Sequence, residues 1–286
     1  MTKILTHNKF IVLLPICICF FVFKLAFAGD IVNPSPDTKK WKQLKEVIFD
    51  GRKIKENAEG ILSISAPFRA EDAAVVPISI TSKIEQTPEK FIKKLYLLID
   101  NNPTPLAGVF TLSPEAGRAD IETRVRLEEY THVRAVAELN NGSLHMVSKY
   151  VRASGGCSAP AGKDQEAALA RMGKMRFRVE NKVKIGEPTM AQVMVSHPNF
   201  SGMQMDQVTR LYLPPLFVRK IEVKQGSKKI LTADLDFAIS ENPNIRFYFV
   251  PKNEKEVLSA TVLDSTDAKF AKDLTVSAGA QLKSSL

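Results

Sequence analysis

Three cysteines occur in this 286-residue chain: Cys17 and Cys19 in an apolar N-terminal run, and Cys157 in the segment Ser154-Gly155-Gly156-Cys157-Ser158-Ala159-Pro160. The thiolate is the nucleophilic form of cysteine, so which thiols survive processing decides what sulfur chemistry the chain can do. Gly155 and Gly156 give the backbone its greatest freedom just before Cys157. That freedom suits an arm presenting one sulfur atom to several differently shaped partner sites. It suits a catalytic nucleophile less, because such a group is normally held on a rigid element. The Gly, Ser and Ala neighbours point to an accessible, reactive thiol. The competing readings are a buried, inert small hydrophobe, the common fate of unpaired cysteines, and thiol redox chemistry or a disulfide homodimer through Cys157.

Other chemistries find little support. A metal site needs several ligands at compatible spacing, and beyond the N-terminal run the only histidines are His132, His145 and His197, far apart and outside any paired motif. Any of the three could fold toward Cys157 as a base, yet a structural role suits each better. No glycine-rich phosphate loop occurs. The expectation is a protein without a cofactor, a metal or a catalytic constellation of its own, a carrier and not an enzyme.

The N-terminus explains why one thiol remains. Lys3 and Lys9 precede an apolar run from Phe10 to Phe23, and Ala26-Phe27-Ala28 fits a small-x-small cleavage site. This reads as a secretory signal peptide over 1–28, too short to span a bilayer. Export places the protein in the periplasm, and cleavage removes Cys17 and Cys19. Cys157 is then unpaired in an oxidising compartment. The formal net charge is +9, but the Lys and Arg residues are scattered among acids without an aromatic-interleaved basic tract. That argues against a nucleic-acid partner, and no membrane span remains after cleavage.

What positions Cys157 must therefore be sought on both sides of it. Residues 29–45 read as a leader, with a short helix beginning near Trp41. Val75-Val76-Pro77-Ile78-Ser79-Ile80 and Leu95-Tyr96-Leu97-Leu98-Ile99 are strand-like, and Asp100-Asn101-Asn102-Pro103 is a turn. Along 125–139 the apolar parity holds Val125, Leu127, Val133, Ala135, Ala137 and Leu139, while Arg126, Glu128, His132, Arg134 and Glu138 fall on the other, implying half-buried strands; a helix stays possible there. Asn141-Gly142 marks a hairpin. Residues 153–174 read as a linker, weakly helical from Asp164 to Ala170. Alternation resumes at Met175, Phe177 and Val179, turns at Gln225-Gly226-Ser227, and returns at Ile245, Phe247 and Phe249 and from Val257 to Leu263. Short strands at regular spacing imply an all-β architecture of two immunoglobulin-like antiparallel sandwiches, at 46–152 and 175–286, joined by the cysteine-bearing linker.

These residues also carry a family resemblance. Val75–Ile80 with the closing Gly155-Gly156-Cys157 resembles SoxY, and Ser196-His197-Pro198, Ser201-Gly202, Asp206 and Ile239-Ser240-Glu241-Asn242-Pro243 are similar to SoxZ. The order and spacing match the single-chain SoxYZ-like sulfur carriers associated with quinoprotein dehydrogenases. The resemblance implies that Cys157 covalently holds a sulfur intermediate. It also implies that the partners are periplasmic sulfur-oxidation enzymes or a quinoprotein dehydrogenase, or that the chain is a non-covalent docking protein for the latter. In SoxY the cysteine arm ends at a free carboxyl terminus; here Ser158-Ala159-Pro160 and a second domain follow, so the arm is tethered at both ends.

Overall fold

The computed structural model describes residues 34–160, 165–179 and 182–279. The expected signal peptide and the start of the leader lie outside the described residues. Helix α1 (Lys39–Phe49) is followed by eight strands: β1 (Ile54–Lys55), β2 (Leu62–Ser65), β3 (Val76–Ser82), β4 (Ile92–Ile99), β5 (Leu106–Leu112), β6 (Ile121–Val125), β7 (Thr131–Leu139) and β8 (Leu144–Val151). After the short helix α2 (Gln165–Ala170) come β9 (Met175–Val179), β10 (Thr189–Val195), β11 (Val218–Gln225), β12 (Lys228–Leu235), β13 (Asn244–Phe249), β14 (Lys255–Asp264) and β15 (Lys269–Ser277).

The strands form two sheets, and each sheet runs through both halves of the chain. The larger has the order β1-β8-β7-β4-β5-β12-β11-β14-β15, the smaller β2-β3-β6-β13-β10-β9. The halves therefore meet edge to edge in both layers, where β5 pairs antiparallel with β12 and β6 with β13. Leu112 faces Leu231 and Phe110 faces Ala233 across the first junction, so ladder bonds and apolar contacts continue where a separate domain would expose an edge. One buried cluster runs across the seam, from Leu62, Ile78 and Val125 to Val193, Ile239 and Phe247. The two sandwiches foreseen from the strand pattern share their cores as well as their linker.

The parity read along 125–139 needs correction. The stretch holds no helix: a loop over 126–130 joins β6 to β7, β7 is buried along nearly its whole length, and Arg126, His132 and Arg134 are at most 5 % exposed. Arg126 is covered by the second half, whose Phe237 and Ile239 carbonyls accept from it; along β7 the reason is α1, which starts inside the leader. Thr38 caps its N-terminus by accepting from the Trp41 N–H. Its Trp41 and Phe49 then pack on Tyr96, Leu98, Val136, Leu144 and Met146, on the face of the large sheet that alternation assigns to solvent. Arg134 survives burial because Asp100 accepts from its Nε at 2.8 Å and its Nη2 at 2.6 Å, the Pro36 carbonyl accepts from Nη2, and the guanidinium lies 4.3 Å from the Trp41 ring centroid. Leaving one partner of a buried pair alone costs about 3–5 kcal/mol. Asp100→Asn is accordingly expected to lower the unfolding free energy by about that amount in urea denaturation, and a loss below about 1 kcal/mol would show that the pair is solvent-relaxed.

Candidate functional site

Cys157 lies where loops from both halves converge on the seam. After β8 the chain turns so that Gly155 N–H donates to the Glu128 carbonyl and Gly156 N–H to the Leu127 carbonyl, both at 2.8 Å. These bonds dock the two glycines on the Leu127–Glu128 stretch that links β6 to β7. Leu127 N–H in turn donates to the Ala73 carbonyl at 2.9 Å, placing a third stretch of backbone against the segment.

Both glycines are required by the docked geometry. Gly155 has φ +78°, in the left-handed region. Gly156 is needed because backbone passes too close for any side chain: a Cβ there would lie 2.1 Å from the Ala73 carbonyl oxygen and 2.8 Å from that of Leu127. The free arm foreseen from Gly155 and Gly156 is, in this structure, a docked one.

The thiol follows its backbone inward, and Cys157 is fully buried. This corrects the expectation of an exposed thiol. Small neighbours do let a segment move, but the same small size lets it pack flat into the seam. Glu128 anchors it from the first half, its carboxylate accepting from Cys157 N–H at 2.9 Å, Ser158 N–H at 3.2 Å and Ser158 Oγ at 2.8 Å. The second half closes over it: Ser201 Oγ donates to the Cys157 carbonyl, and Gln204 Nε2 donates to the Ala159 carbonyl at 3.0 Å.

Electrostatics keep the docked thiol protonated. Burial is the main cause, the nearby charges of Glu128 and Asp236 add to it, and Arg126 opposes them, with the result that the Cys157 thiol is pushed up to about 12. A protonated, enclosed thiol is a poor nucleophile. The docked arrangement can shelter a sulfur atom, and reaction with anything in solution requires the segment to leave.

The histidines take no part. His132 Nε2 contacts the Pro34 carbonyl, His145 Nε2 contacts Ser143 Oγ, and His197 accepts from Asn199 N–H through Nδ1 and faces Asp264 through Nε2 at 3.6 Å. Among the described residues no group of three or more His, Cys, Asp or Glu is arranged for a metal, and no helix is long and apolar enough to cross a membrane. A surface cleft containing Arg124 and Arg246 opens on the small sheet, away from Cys157. Of the residues that hold Cys157, only Ser201 stands in a motif singled out from the sequence. Arg126 and Glu128 fall on the parity that alternation gives to solvent, and Gln204 carries no local signal.

Two family models match the chain: sulfur oxidation protein SoxY over residues 45–157, ending on Cys157 itself, and sulphur oxidation protein SoxZ over residues 175–275. Among solved structures, the sulfur carrier protein SoxY from Chlorobium limicola f thiosulfatophilum is 20% identical, with a TM-score of 0.33, over 40% of this chain and 91% of that one. A superoxide reductase (neelaredoxin) from Ignicoccus hospitalis is 16% identical, with a TM-score of 0.31, over 35% of this chain and 94% of that one. No curated protein matches the chain.

Proposed function

The chain belongs to the sulfur-oxidation proteins, a SoxY domain followed by a SoxZ domain in one polypeptide, and from that membership we propose that it is a periplasmic carrier holding a sulfur intermediate covalently on Cys157. The observation that carries the reading is the position of the thiol. The SoxY match ends on the one cysteine beyond the N-terminal leader, and the SoxZ half closes over it through Ser201 and Gln204. Docked, the sulfur is protonated and shielded from oxidants; undocked, it is an ordinary thiol able to exchange with a partner. The segment's outer hold is polar and partly exposed, at Glu128 and Ser158, which makes release less costly than unpacking a core. Cys157 is six residues beyond the end of β8 at Val151, so the released arm extends at most roughly 20 Å from the sheet. The partners that fit are enzymes with shallow active sites, or sites that receive the whole edge of this protein. Periplasmic location rests on the expected signal peptide over 1–28, and sulfur-oxidation enzymes are the partner class.

Intact-mass measurement of protein taken from its native host tests the reading. The expected spectrum contains sulfur adducts that a reductant removes and that map to Cys157. Free thiol alone, under conditions where the partners are active, overturns it.

The burial of Cys157 favours a second reading, in which the thiol is structural and the protein is a non-covalent accessory of a periplasmic quinoprotein dehydrogenase. That reading expects Cys157→Ser to leave partner binding and dehydrogenase activity unchanged.

A further inference from the structure

Arg126 is one of the largest fully enclosed side chains in the protein, 2 % exposed. Its Nη1 donates to the carbonyls of Phe237 at 3.0 Å and Ile239 at 2.8 Å, while its Nε has no partner among the described residues. Carbonyls satisfy N–H groups but do not neutralise a guanidinium, and a buried charge without a counter-ion is costly. Arg134 shows the ordinary solution in the same protein, a bidentate pair with Asp100. Arg126 has no carboxylate within ion-pair distance among the described residues.

Arg126 and Cys157 are both buried and lie within electrostatic reach of each other. Gly156 N–H donates to the Leu127 carbonyl, so the residue before Cys157 is bonded to the residue after Arg126. Two groups attract the Arg126 charge, the Cys157 sulfur and Glu241, and Glu241 is on the exposed surface. A neutral thiol leaves the buried cation unmatched, whereas an anionic sulfur group on Cys157 would match it. One added sulfur is the smallest such group, and it asks the least displacement of packing as tight as that around Gly156.

We propose that Arg126 is the counter-ion of a persulfide anion on docked Cys157, so that the closed site holds the loaded, charged form of the carrier in preference to the empty thiol. This rests on the carrier reading above. Loading needs no oxidant when the donor is itself a persulfide: Cys157–SH + R–S–S⁻ → Cys157–S–S⁻ + R–SH. The donor's S–S bond breaks, a new one forms at Cys157, and the thiol proton passes to the departing R–S⁻. Besides Arg126, the charged groups facing the sulfur are Glu128 and Asp236. Both are negative and oppose the anion, so the assignment gives Arg126 the work of outweighing them.

Glutathione persulfide is the donor for the test, with full-length protein. Three quantities are measured: mass gain at Cys157, the persulfide's apparent pKa from the absorbance of its anion, and melting temperature before and after loading. In the wild type, the bound persulfide is expected to ionise at or below the pH at which free glutathione persulfide does, and loading is expected to raise the melting temperature. Arg126→Met is expected to raise that apparent pKa by more than about one unit and to abolish the thermal gain, while Arg126→Lys retains most of both. Loaded wild-type protein whose persulfide ionises well above the free compound, or which melts no higher than the empty form, overturns the assignment even if Arg126→Met does not fold. Identical apparent pKa values in wild type and Arg126→Met overturn it as well. If Cys157 gains no sulfur even when the segment is loosened by Glu128→Ala, the carrier reading falls together with this one; loading without any dependence on Arg126 removes this one alone.

Discussion

Alanine at position 156 is expected to expel the Cys157 segment from the seam and raise the alkylation rate of the thiol by about 100-fold at neutral pH. The added Cβ would stand 2.1 Å from the Ala73 carbonyl oxygen and 2.5 Å from its carbon, both backbone atoms, with the Leu127 carbonyl oxygen at 2.8 Å on another side. A flexible side chain could swing aside, but these backbone atoms belong to loops fixed by their own hydrogen bonds, including Leu127 N–H to the Ala73 carbonyl. Overpacking of this kind costs roughly 1–3 kcal/mol or more, and at 1.4 kcal/mol per tenfold the upper end of that range shifts the docked fraction by about two orders of magnitude. Gly155→Ala provides the comparison. It meets open space and suffers only the cost of a left-handed φ, about 1–2 kcal/mol, so its rate gain is smaller. Iodoacetamide kinetics followed by mass spectrometry report the released population directly. Equal rates for wild type and Gly156→Ala would mean that the thiol is reached without undocking.

Removing the Glu128 carboxylate is expected to change the shape of the pH profile as well as the rate. Glu128→Ala deletes the acceptor for Cys157 N–H, Ser158 N–H and Ser158 Oγ, bonds to a charged group worth about 1.5–3 kcal/mol each when buried and less here because part of the site is exposed. It also removes a negative charge that disfavours the thiolate. The sign of the pH effect follows from the raised pKa. The docked state keeps its proton where the released state loses it, so docking is fully favoured below the ordinary thiol pKa of about 8.5. Its advantage declines as pH climbs from there toward about 12. In the wild type the alkylation rate should therefore continue to rise about tenfold per pH unit well past pH 9. In Glu128→Ala the rate should start about 10 to 100 times higher at pH 7 and level off near the ordinary thiol pKa. Superimposable profiles would remove Glu128 from its role as the anchor of the segment.

Local signals read well where neighbours in sequence are neighbours in space. Gln225-Gly226-Ser227 turns β11 into β12, with Gln225 paired to Lys228, and Asn141-Gly142 turns β7 into β8. The alternation at Met175, Phe177 and Val179 is β9 in register with β10. In each case side-chain period and turn chemistry suffice, since both are properties of a few consecutive residues. Alternation assumes that one face is wet, and it misplaces His132 and Arg134 because a helix nearly a hundred residues earlier covers the second face of β7, and Arg126 because the Phe237–Ile239 stretch of the second half closes over it.

Cys157 divides along the same line. Its being the one thiol beyond the leader, its two preceding glycines and its place between two sets of strands are all written in the order of residues. Whether that thiol is free or enclosed is not, since enclosure depends on Ala73, Glu128, Ser201, Gln204 and Asp236, contributed by segments on both sides of it. Glycines permit a free arm and a close-packed one equally. Only the backbone that passes 2.1 Å from where a Cβ of residue 156 would stand decides between them, and with that, which protonation state the sulfur holds while docked.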